Sequence, residues 1–384
     1  MTLSGSNAER GAWIGWAVLF LATAAIIASG SNRTVVPAYR EGAVYWMAGQ
    51  TIFAHPGVGG FVYLPQAAVL FIPFALLPVV AGEVLWRLVN IAVFAVGIFQ
   101  FSRLVSGKTG KGLFPLMTLV TLPLAWDCAR NGQATLIITG LMLLAVVDIA
   151  RTRWWRAVLW LCLGVAVKPL VIVLALLVMV IDRPLSWRLL AGMLLTALFP
   201  FLTQHPGYVL EQYAAFWSSL TKAVHVGAVD KGWTTPFNAL QVLGITVPEK
   251  VQTLLRLAAA LGTLALCRLS RFRHDAVRSA VFVFSLSVAY LMLFSPRTEN
   301  NTYAMLGPAI AVFLAGAYIA EQRRGEGLLL GCMAGAILGG RVIERLLTPH
   351  AGTSWVSPLM AVCFTAYLLV RFVREMQAPQ EQGQ

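Results

Sequence analysis

The sequence predicts an all-α protein that crosses a membrane several times, and three observations support this fold class. Of its 384 residues, 58% are hydrophobic and only 12% are charged, whereas soluble domains carry about a quarter charged residues. Apolar segments recur from end to end without a long polar stretch between them, which favours one membrane domain over several soluble domains. The basic residues lie in short clusters between these segments, as they do in cytoplasmic loops of membrane proteins.

Twelve segments are predicted to be membrane helices, because a spanning helix needs about 20 predominantly apolar residues. The first apolar run, Ala12–Ala28, is as long as a signal peptide. No small-residue cleavage site followed by a soluble domain comes after it, so we expect a retained signal anchor. The predicted helices lie at about 11–30, 83–104, 113–127, 134–150, 157–167, 169–182, 189–203, 251–267, 277–295, 302–320, 326–347 and 353–371.

The distribution of positive charge settles two ambiguous stretches. Gln66–Val80 is short and contains Pro73 and Pro78. A span there would turn the next basic loop outward, so we predict a re-entrant or interfacial hairpin on the outer side. The segment 157–182 has arginines at both ends and is interrupted by Lys168–Pro169. We therefore predict two short helices, with the break as a tip near the outer face.

The resulting topology is a single membrane domain over 1–373, followed by a disordered cytoplasmic tail over 374–384. Both termini are expected in the cytoplasm. Two long loops, at about 31–82 and 204–250, are expected on the outer face, where they form juxtamembrane helices. We expect the protein in the plasma (inner) membrane.

The formal net charge of +13 does not indicate nucleic-acid binding. Clusters such as Arg151–Arg156 and Arg268–Arg278 alternate with apolar segments, a pattern that suits loops facing anionic lipid. The five cysteines are scattered and show neither a CxxC motif nor metal-ligand spacing. Neither a disulfide framework nor a metal site is predicted.

Ionisable residues gather at the outer face in this topology, and one group of them begins at Glu41. Ionisable groups at membrane depth are costly and mark a function or a pairing. Carboxylates and guanidinium groups at one leaflet suit an anionic lipid head group and a proton that must be removed.

The stretch "EGAVYWMAGQTIF", which starts at Glu41, begins a series of stretches that occur in one order over about 40–310. Together they resemble glycosyltransferase family 87, a family of membrane glycosyltransferases of the GT-C class. The other stretches are "GFVYLPQAAVLFIPFALLP", "LWRLVN", "NGQATLIITGLMLLA", "GVAVKPLVIVLALL", "NALQVLGI" and "SPRTENNTYAMLGP".

The resemblance implies a GT-C fold, a sugar donor linked to a polyprenyl phosphate, and transfer on the outer face. The family includes mycobacterial polyprenol-phosphate-mannose-dependent mannosyltransferases, so mannose is the first sugar to expect. Its carboxylate, usually Asp, stands four residues before the Tyr of the first-loop helix, and here this is Glu41 before Tyr45. The usual "YPP" is "YLP" at Tyr63–Pro65, and the "SP" motif at Ser295 lacks the His of many relatives. These departures indicate a subfamily with its own acceptor.

The implied chemistry needs a base and cations. A polyprenyl phosphate is already a good leaving group, so a base must only take the acceptor's proton while cations hold the phosphate. Glu41 is the predicted base of an inverting reaction. No cofactor is expected, and the absence of a DxD pair argues against a metal requirement. Predicted donor-phosphate ligands are Lys168, Arg297, Arg341 and Arg345, with Lys168 and Arg297 within about 10 Å of each other. Predicted acceptor or sugar contacts are Tyr45, Tyr63, Asn131, Gln133, Glu299 and Asn301.

Several of these residues also have a structural alternative. Glu41 could pair with Arg40 or favour the N-terminus of a helix. Lys168 could extend to the membrane interface, as lysines often do. Asn131 and Gln133 could cap the following helix, which the sequence favours over contact with sugar.

The arginines have alternatives of the same kind. Arg297 could form a structural pair with Glu299 at a helix end. Arg341 and Arg345 lie one helical turn apart on one face, so they could share a phosphate or pair with Glu344.

Two other functions are compatible with the same features. A transporter or lipid flippase would also have many helices and buried charges, but it should show an internal repeat and charges near mid-membrane. No repeat is visible in the sequence. A non-catalytic scaffold would not need Glu41, Lys168 and Arg297 at similar depth. The expected partners are the sugar donor, a glycolipid or glycan acceptor and membrane lipids, without nucleic acid, and the expected state is a monomer.

Overall fold

The computed structural model describes residues 5–30, 33–55, 60–107, 112–225, 234–295, 298–348 and 354–377. Every regular element in these ranges is a helix. The helices are α1 (Gly5–Ala28), α2 (Val36–Met47), α3 (Pro65–Ala75), α4 (Val79–Ser106), α5 (Phe114–Asn131), α6 (Thr135–Ala150), α7 (Trp154–Val167), α8 (Ile172–Ile181), α9 (Arg183–Leu198), α10 (Pro206–His225), α11 (Pro236–Val242), α12 (Glu249–Arg273), α13 (Ala276–Phe294), α14 (Leu306–Ala315), α15 (Arg324–Leu347) and α16 (Val356–Gln377).

The predicted fold class is confirmed, and each of the twelve predicted segments falls on a helix. The protein is a multi-pass integral membrane protein, while the crossing count of twelve stays a prediction. By length and composition, the described helices that could cross a membrane are Asn7–Ala28, Val79–Ser106, Arg183–Leu202, Glu249–Arg273, Ala276–Phe294, Asn300–Ala320, Arg324–Leu347 and Val356–Gln377. Shorter apolar helices are Pro65–Ala75, Thr135–Ala150, Trp154–Val167 and Pro169–Ile181.

Contacts divide the chain into two compact units, 1–227 and 228–384. The single membrane domain over 1–373 stays a prediction. Helix α16 continues to Gln377, so residues 374–377 are helical and do not belong to the predicted disordered tail. Residues 378–384 lie outside the described part of the chain.

The centre of unit 1 is α6, which is buried along nearly its whole length. Glycines let it approach α4 closely: a Cβ on Gly140 would lie 2.5 Å from the Val93 carbonyl oxygen, and one on Gly97 would lie 2.8 Å from the Gly140 carbonyl oxygen. Small residues at such crossings are the usual means of packing membrane helices tightly.

The predicted break at Lys168–Pro169 is present. Lys168 is extended, with φ −153° and ψ 122°, and Pro169 begins a single 3₁₀ turn. The chain folds back on itself there, since a Cβ on Gly164 would lie 3.0 Å from the methyl groups of Val171. The segment 157–182 is therefore not one straight helix.

Helix α9 packs closely on α7. A Cβ on Gly192 would lie 2.5 Å from Val158 and 2.8 Å from the Cys162 sulfur.

The stretch predicted as a hairpin, Gln66–Val80, contains most of helix α3, a short turn and the first residues of α4. Helix α3 begins at Pro65 and ends at Ala75, and α4 begins at Val79 directly after Pro78. Helices α2 and α3 share an apolar cluster that includes Trp46, Phe61 and Ala68. The Trp46 indole donates to the Thr203 hydroxyl at 3.1 Å, which fixes α2 to the segment before α10.

In unit 2, α15 is connected to the start of α16 by one carboxylate. The Glu344 Oε1 accepts from the Ser354 hydroxyl at 2.7 Å and from the backbone N–H groups of Trp355 at 2.7 Å and Val356 at 2.9 Å. A carboxylate at the N-terminus of a helix satisfies donors that the helix itself leaves unpaired.

The Arg87 side chain joins three parts of unit 1. It is fully buried, and its NH1 group donates to the Glu83 carboxylate at 2.9 Å and to the Glu83 carbonyl at 3.1 Å. Its NH2 group donates to the Thr34 hydroxyl at 3.0 Å and to the Arg130 carbonyl at 2.9 Å. Its Nε donates to the same carbonyl at 3.3 Å, so all five N–H donors are used.

We predict that Arg87→Ala lowers the free energy of unfolding by about 3–5 kcal/mol, because removing one partner leaves the Glu83 charge buried and uncompensated. Thermal unfolding of the purified protein in detergent measures this loss. Arg324→Ala is the matched control: Arg324 is exposed, and surface substitutions change stability by about 0.5 kcal/mol or less. Equal stability of the two variants would contradict the structural role of Arg87.

Candidate active site

Helix α2 carries the predicted base. Pro37 lies in its first turn, where a missing N–H costs nothing. Its buried residues include Val36, Tyr39 and Trp46, spaced so that one stripe faces the protein. Glu41 lies off this stripe, and its side chain is 32% exposed. The helix therefore presents a carboxylate that solvent or substrate can reach.

Glu41 contacts two ring side chains. Its Oε1 lies 2.6 Å from the Nδ1 of His55, and the Tyr45 hydroxyl hydrogen-bonds to the same carboxylate. That hydrogen bond raises the pKa of the Tyr45 phenol above its ordinary value, because the phenolate would lose it. The Tyr45 and His55 rings stack with centroids 6.5 Å apart and planes 27° apart. The three side chains form a cluster, here called the Glu41 cluster.

The alternative pairing of Glu41 with Arg40 is not the one observed. The Arg40 guanidinium turns toward the α3–α4 turn and donates to the Leu77 carbonyl at 2.9 Å and to the Phe74 carbonyl at 3.5 Å. Sequence reasoning missed His55, because a contact between a helix and a following loop leaves no periodic signal in the sequence.

Two glycines hold the loop after α2 close to the Glu41 cluster. A Cβ on Gly42 would lie 2.4 Å from the Phe61 ring, and one on Gly60 would lie 1.8 Å from the His55 carbonyl oxygen. Distances this short leave room for hydrogen alone, so both positions need glycine. Phe61 is buried, which anchors the loop on α2.

A cavity of about 340 Å³ opens beside Glu41 between α2, α3 and α4. Its walls are mostly apolar, and its charged members are Arg40, Glu41 and Glu83. Such a cavity, apolar with a few placed polar groups, is the usual form of a small-molecule site. The residues around it are Val36, Pro37, Arg40, Glu41, Val44, Phe71, Phe74, Val79, Gly82 and Glu83.

Tyr63 lies against the buried stripe of α2. Its hydroxyl is 3.0 Å from the Tyr39 hydroxyl, which also accepts from the backbone N–H of Ala134 at 3.4 Å. The rings of Tyr39 and Tyr63 pack with centroids 5.1 Å apart. Tyr63 and the start of α6 therefore both contact Tyr39, which lies on the helix that carries Glu41.

The favoured capping role of Asn131 and Gln133 is wrong. The N-cap residue of α6 is Ala134, which has no side-chain acceptor, and the N–H of Ile137 is bonded by the Asn90 side chain at 3.3 Å. Gln133 is buried, with its Oε1 3.8 Å from the Cys128 sulfur. Asn131 uses its carbonyl to accept from the N–H of Val35 at 3.0 Å.

The predicted phosphate ligands are distributed over both units. In unit 1, Lys168 is half-buried at the turn between α7 and α8. Arg297 lies outside the described residues, so its distance to Lys168 and its pairing with Glu299 stay predictions. In unit 2, Arg341 and Arg345 are exposed on α15.

Glu344 is occupied by the start of α16, as described above, instead of by these two arginines. Glu299 is exposed just before the 3₁₀ turn Asn300–Met305, and Asn301 is half-buried within that turn. Among the described residues, no three His, Cys, Asp or Glu side chains group together as metal ligands could.

Unit 2 contains an apolar cavity of about 490 Å³. Helix α11, the start of α16 and Thr348 form its walls, and Leu240, Trp355 and Leu359 are among its lining residues. The Trp355 indole donates to the Thr348 hydroxyl at 2.9 Å.

Comparison with known families defines the class of protein. The sequence over residues 61–296, more than half of the chain, matches glycosyltransferase family 87. Together with the multi-pass helical fold, this match makes the protein a membrane glycosyltransferase. The chain belongs to glycosyltransferase family 87, which confirms the resemblance and sets aside a transporter or a scaffold. No curated protein matches the sequence.

The matched region begins at the Phe61 ring that packs on Gly42, so the Glu41 cluster precedes it. We predict that Gly42→Ala displaces this ring, destabilises the protein by about 1–3 kcal/mol through overpacking, and lowers glycosyl transfer by moving the loop that carries His55. Both effects are measured on the purified protein, by thermal unfolding and by turnover.

Two variants control this experiment. Gly11→Ala should change little, since a Cβ there meets nothing within 4 Å. Adding Phe61→Leu to Gly42→Ala should restore part of the loss by making room for the new methyl group. A Gly42→Ala protein with unchanged stability and turnover would show that the loop does not depend on this contact.

Proposed function

We propose that the protein transfers a sugar from a polyprenyl-phosphate donor to a hydroxyl group of a lipid or glycan acceptor. The family resemblance makes mannose the first sugar to test. The reaction takes place on the extracytoplasmic face of the plasma (inner) membrane, with both termini in the cytoplasm. The observation that carries this proposal is the accessible Glu41 carboxylate at the edge of a largely apolar cavity.

The reaction is a single displacement that inverts the sugar. The acceptor oxygen forms a bond to the anomeric carbon while the bond from that carbon to the phosphate oxygen breaks. Polyprenyl phosphate leaves with the bonding electron pair, and Glu41 takes the proton of the acceptor hydroxyl. A base positioned in this way contributes typically 10²–10⁴-fold to the rate.

Cations stabilise the phosphate as its negative charge grows in the transition state. Lys168, Arg297, Arg341 and Arg345 have this role in the proposal. Fixed positive charges in a site with little water act more strongly than they would in bulk solvent. Because this leaving group needs no further activation, the proposed reaction uses no metal ion or cofactor.

The acceptor hydroxyl approaches the anomeric carbon of the sugar from the side opposite the leaving phosphate. Tyr45, Tyr63, Asn131, Gln133, Glu299 and Asn301 are the proposed polar contacts. The apolar cavity beside Glu41 would accommodate hydrocarbon next to the reacting hydroxyl, which supports a partner that is itself a lipid. Membrane lipids surround the protein, and nucleic acid has no part in the proposal.

The general test supplies the purified protein with polyprenyl-phosphate sugars and an acceptor lipid extract. Release of polyprenyl phosphate with gain of sugar by the acceptor supports the proposal. Absence of release with every donor, from a protein that remains folded, contradicts it.

We predict that Glu41→Gln loses at least about 100-fold in turnover, because the amide keeps the shape of the side chain but cannot accept the proton. Donor binding should survive, since the cations that hold the phosphate remain. Single-turnover release of polyprenyl phosphate measures the first effect, and binding of labelled donor measures the second.

Asp127→Asn is the matched control for a carboxylate in the same unit and should retain activity. If Glu41→Gln turns over normally while Glu299→Gln is inactive, the base has been assigned to the wrong carboxylate. If all three variants are active, the proposed mechanism is wrong.

We also predict that Lys168→Ala raises the KM for the donor about 10- to 100-fold, because a hydrogen bond to a charged group contributes roughly 1.5–3 kcal/mol. Lys168→Arg should recover most of the affinity by keeping the charge. Lys250→Ala, which removes an exposed lysine, controls for net charge. An unchanged KM in Lys168→Ala would assign Lys168 to the membrane interface instead.

A further inference from the structure

We propose that His55 is a positioning residue that orients the Glu41 carboxylate toward the acceptor hydroxyl. The inference rests on the proposed function, in which Glu41 is the base. Its starting point is the 2.6 Å contact between His55 Nδ1 and Glu41 Oε1.

The contact fixes where the imidazole carries a proton. An ionised carboxylate can only accept hydrogen bonds, so His55 must donate through Nδ1–H. In the neutral imidazole, Nε2 then has the free lone pair. A carboxylate offers about four lone-pair sites, and His55 and Tyr45 occupy two of them. The remaining sites can still take a proton from an acceptor hydroxyl.

Burial does not account for the place of His55, because its side chain is 66% exposed. The position depends instead on the Glu41 contact, on stacking against Tyr45 and on the close approach of Gly60 to the His55 carbonyl. An exposed ring held by polar and stacking contacts suits a function at the site better than a role in packing.

The charges that face the cluster are engaged elsewhere. Arg40, on α2, donates to the carbonyls of Leu77 and Phe74. Glu83, on α4, is paired with the buried Arg87. Tyr45 is the other titratable group in contact with Glu41. Among these groups, His55 and Tyr45 are therefore the ones that can direct the Glu41 carboxylate.

The hydrogen bond from His55 holds one oxygen of the Glu41 carboxylate and leaves Glu41 able to accept a proton. The proton of the acceptor still goes to Glu41 in every turnover, and His55 keeps its own proton throughout.

Two substitutions test whether the donor at this position orients Glu41. In His55→Asn, the side-chain amide N–H stands near the place of Nδ1–H. In His55→Ala, the donor is lost. His205→Asn is the matched control, because His205 is also exposed and contacts the backbone N–H of Gly207 outside the Glu41 cluster.

The experiment measures release of polyprenyl phosphate from the donor between pH 5 and 8.5. His55→Ala should lose about 10- to 100-fold in kcat with little change in donor KM, as a base misplaced by a fraction of an ångström would. His55→Asn should stay within about threefold of the unmodified protein at pH 8, because one neutral donor replaces another.

Three outcomes would overturn the inference. If His55→Asn is as inactive as His55→Ala, the imidazole itself takes the proton. Unchanged kcat in His55→Ala would mean that the contact has no role. A full additional loss when His55→Ala is combined with Glu41→Gln would mean that the two residues act independently.

Failure of the proposed function gives a different result. In that case Glu41→Gln keeps its activity, whatever the His55 variants do. If only the inference fails, Glu41→Gln is inactive while His55→Ala behaves like the unmodified protein and like His205→Asn.

Discussion

The candidate site depends on the hydrogen bonds that the fully buried guanidinium of Arg87 donates. A charge at membrane depth is stable only when its donors are satisfied, and here all five N–H donors of Arg87 are used. Their acceptors belong to α4, to the end of α5 and to the segment that enters α2. Arg87 therefore sets the point at which α2 begins, and with it the place of Glu41.

Beyond that point, the periodicity of α2 places its packing side chains and its reactive carboxylate on different faces of the helix. Tyr39 faces inward, where its hydroxyl meets Tyr63 and the start of α6. Glu41, two residues later, points away from this stripe toward His55. A helix advances about 100° per residue, so two residues are enough to place one side chain in the packed interior and the other beside an open cavity.

Much of the fold could be predicted from the sequence because helix length, charge bias and proline have local physical causes. The Lys168–Pro169 break is an example, since arginines at both ends and a proline in the middle allow few other structures. The cap of α6 was predicted wrongly because its donors are satisfied by Tyr39 and Asn90, which are distant in the sequence. His55 was missed for the same reason, and Glu41 was found only through the family resemblance.

The length of the Glu41 side chain explains its contact with His55. Glu is longer than Asp by one methylene group, so the oxygens of Glu41 extend further from the α2 backbone than those of an aspartate would. At that distance they meet His55, on a loop that Gly42 and Gly60 allow to pack against the helix. A shorter carboxylate at the same backbone position would leave a gap to a ring that now lies 2.6 Å away. Glu41 and the loop histidine are thus parts of one arrangement, in which the longer side chain gains a hydrogen-bond donor that fixes its direction.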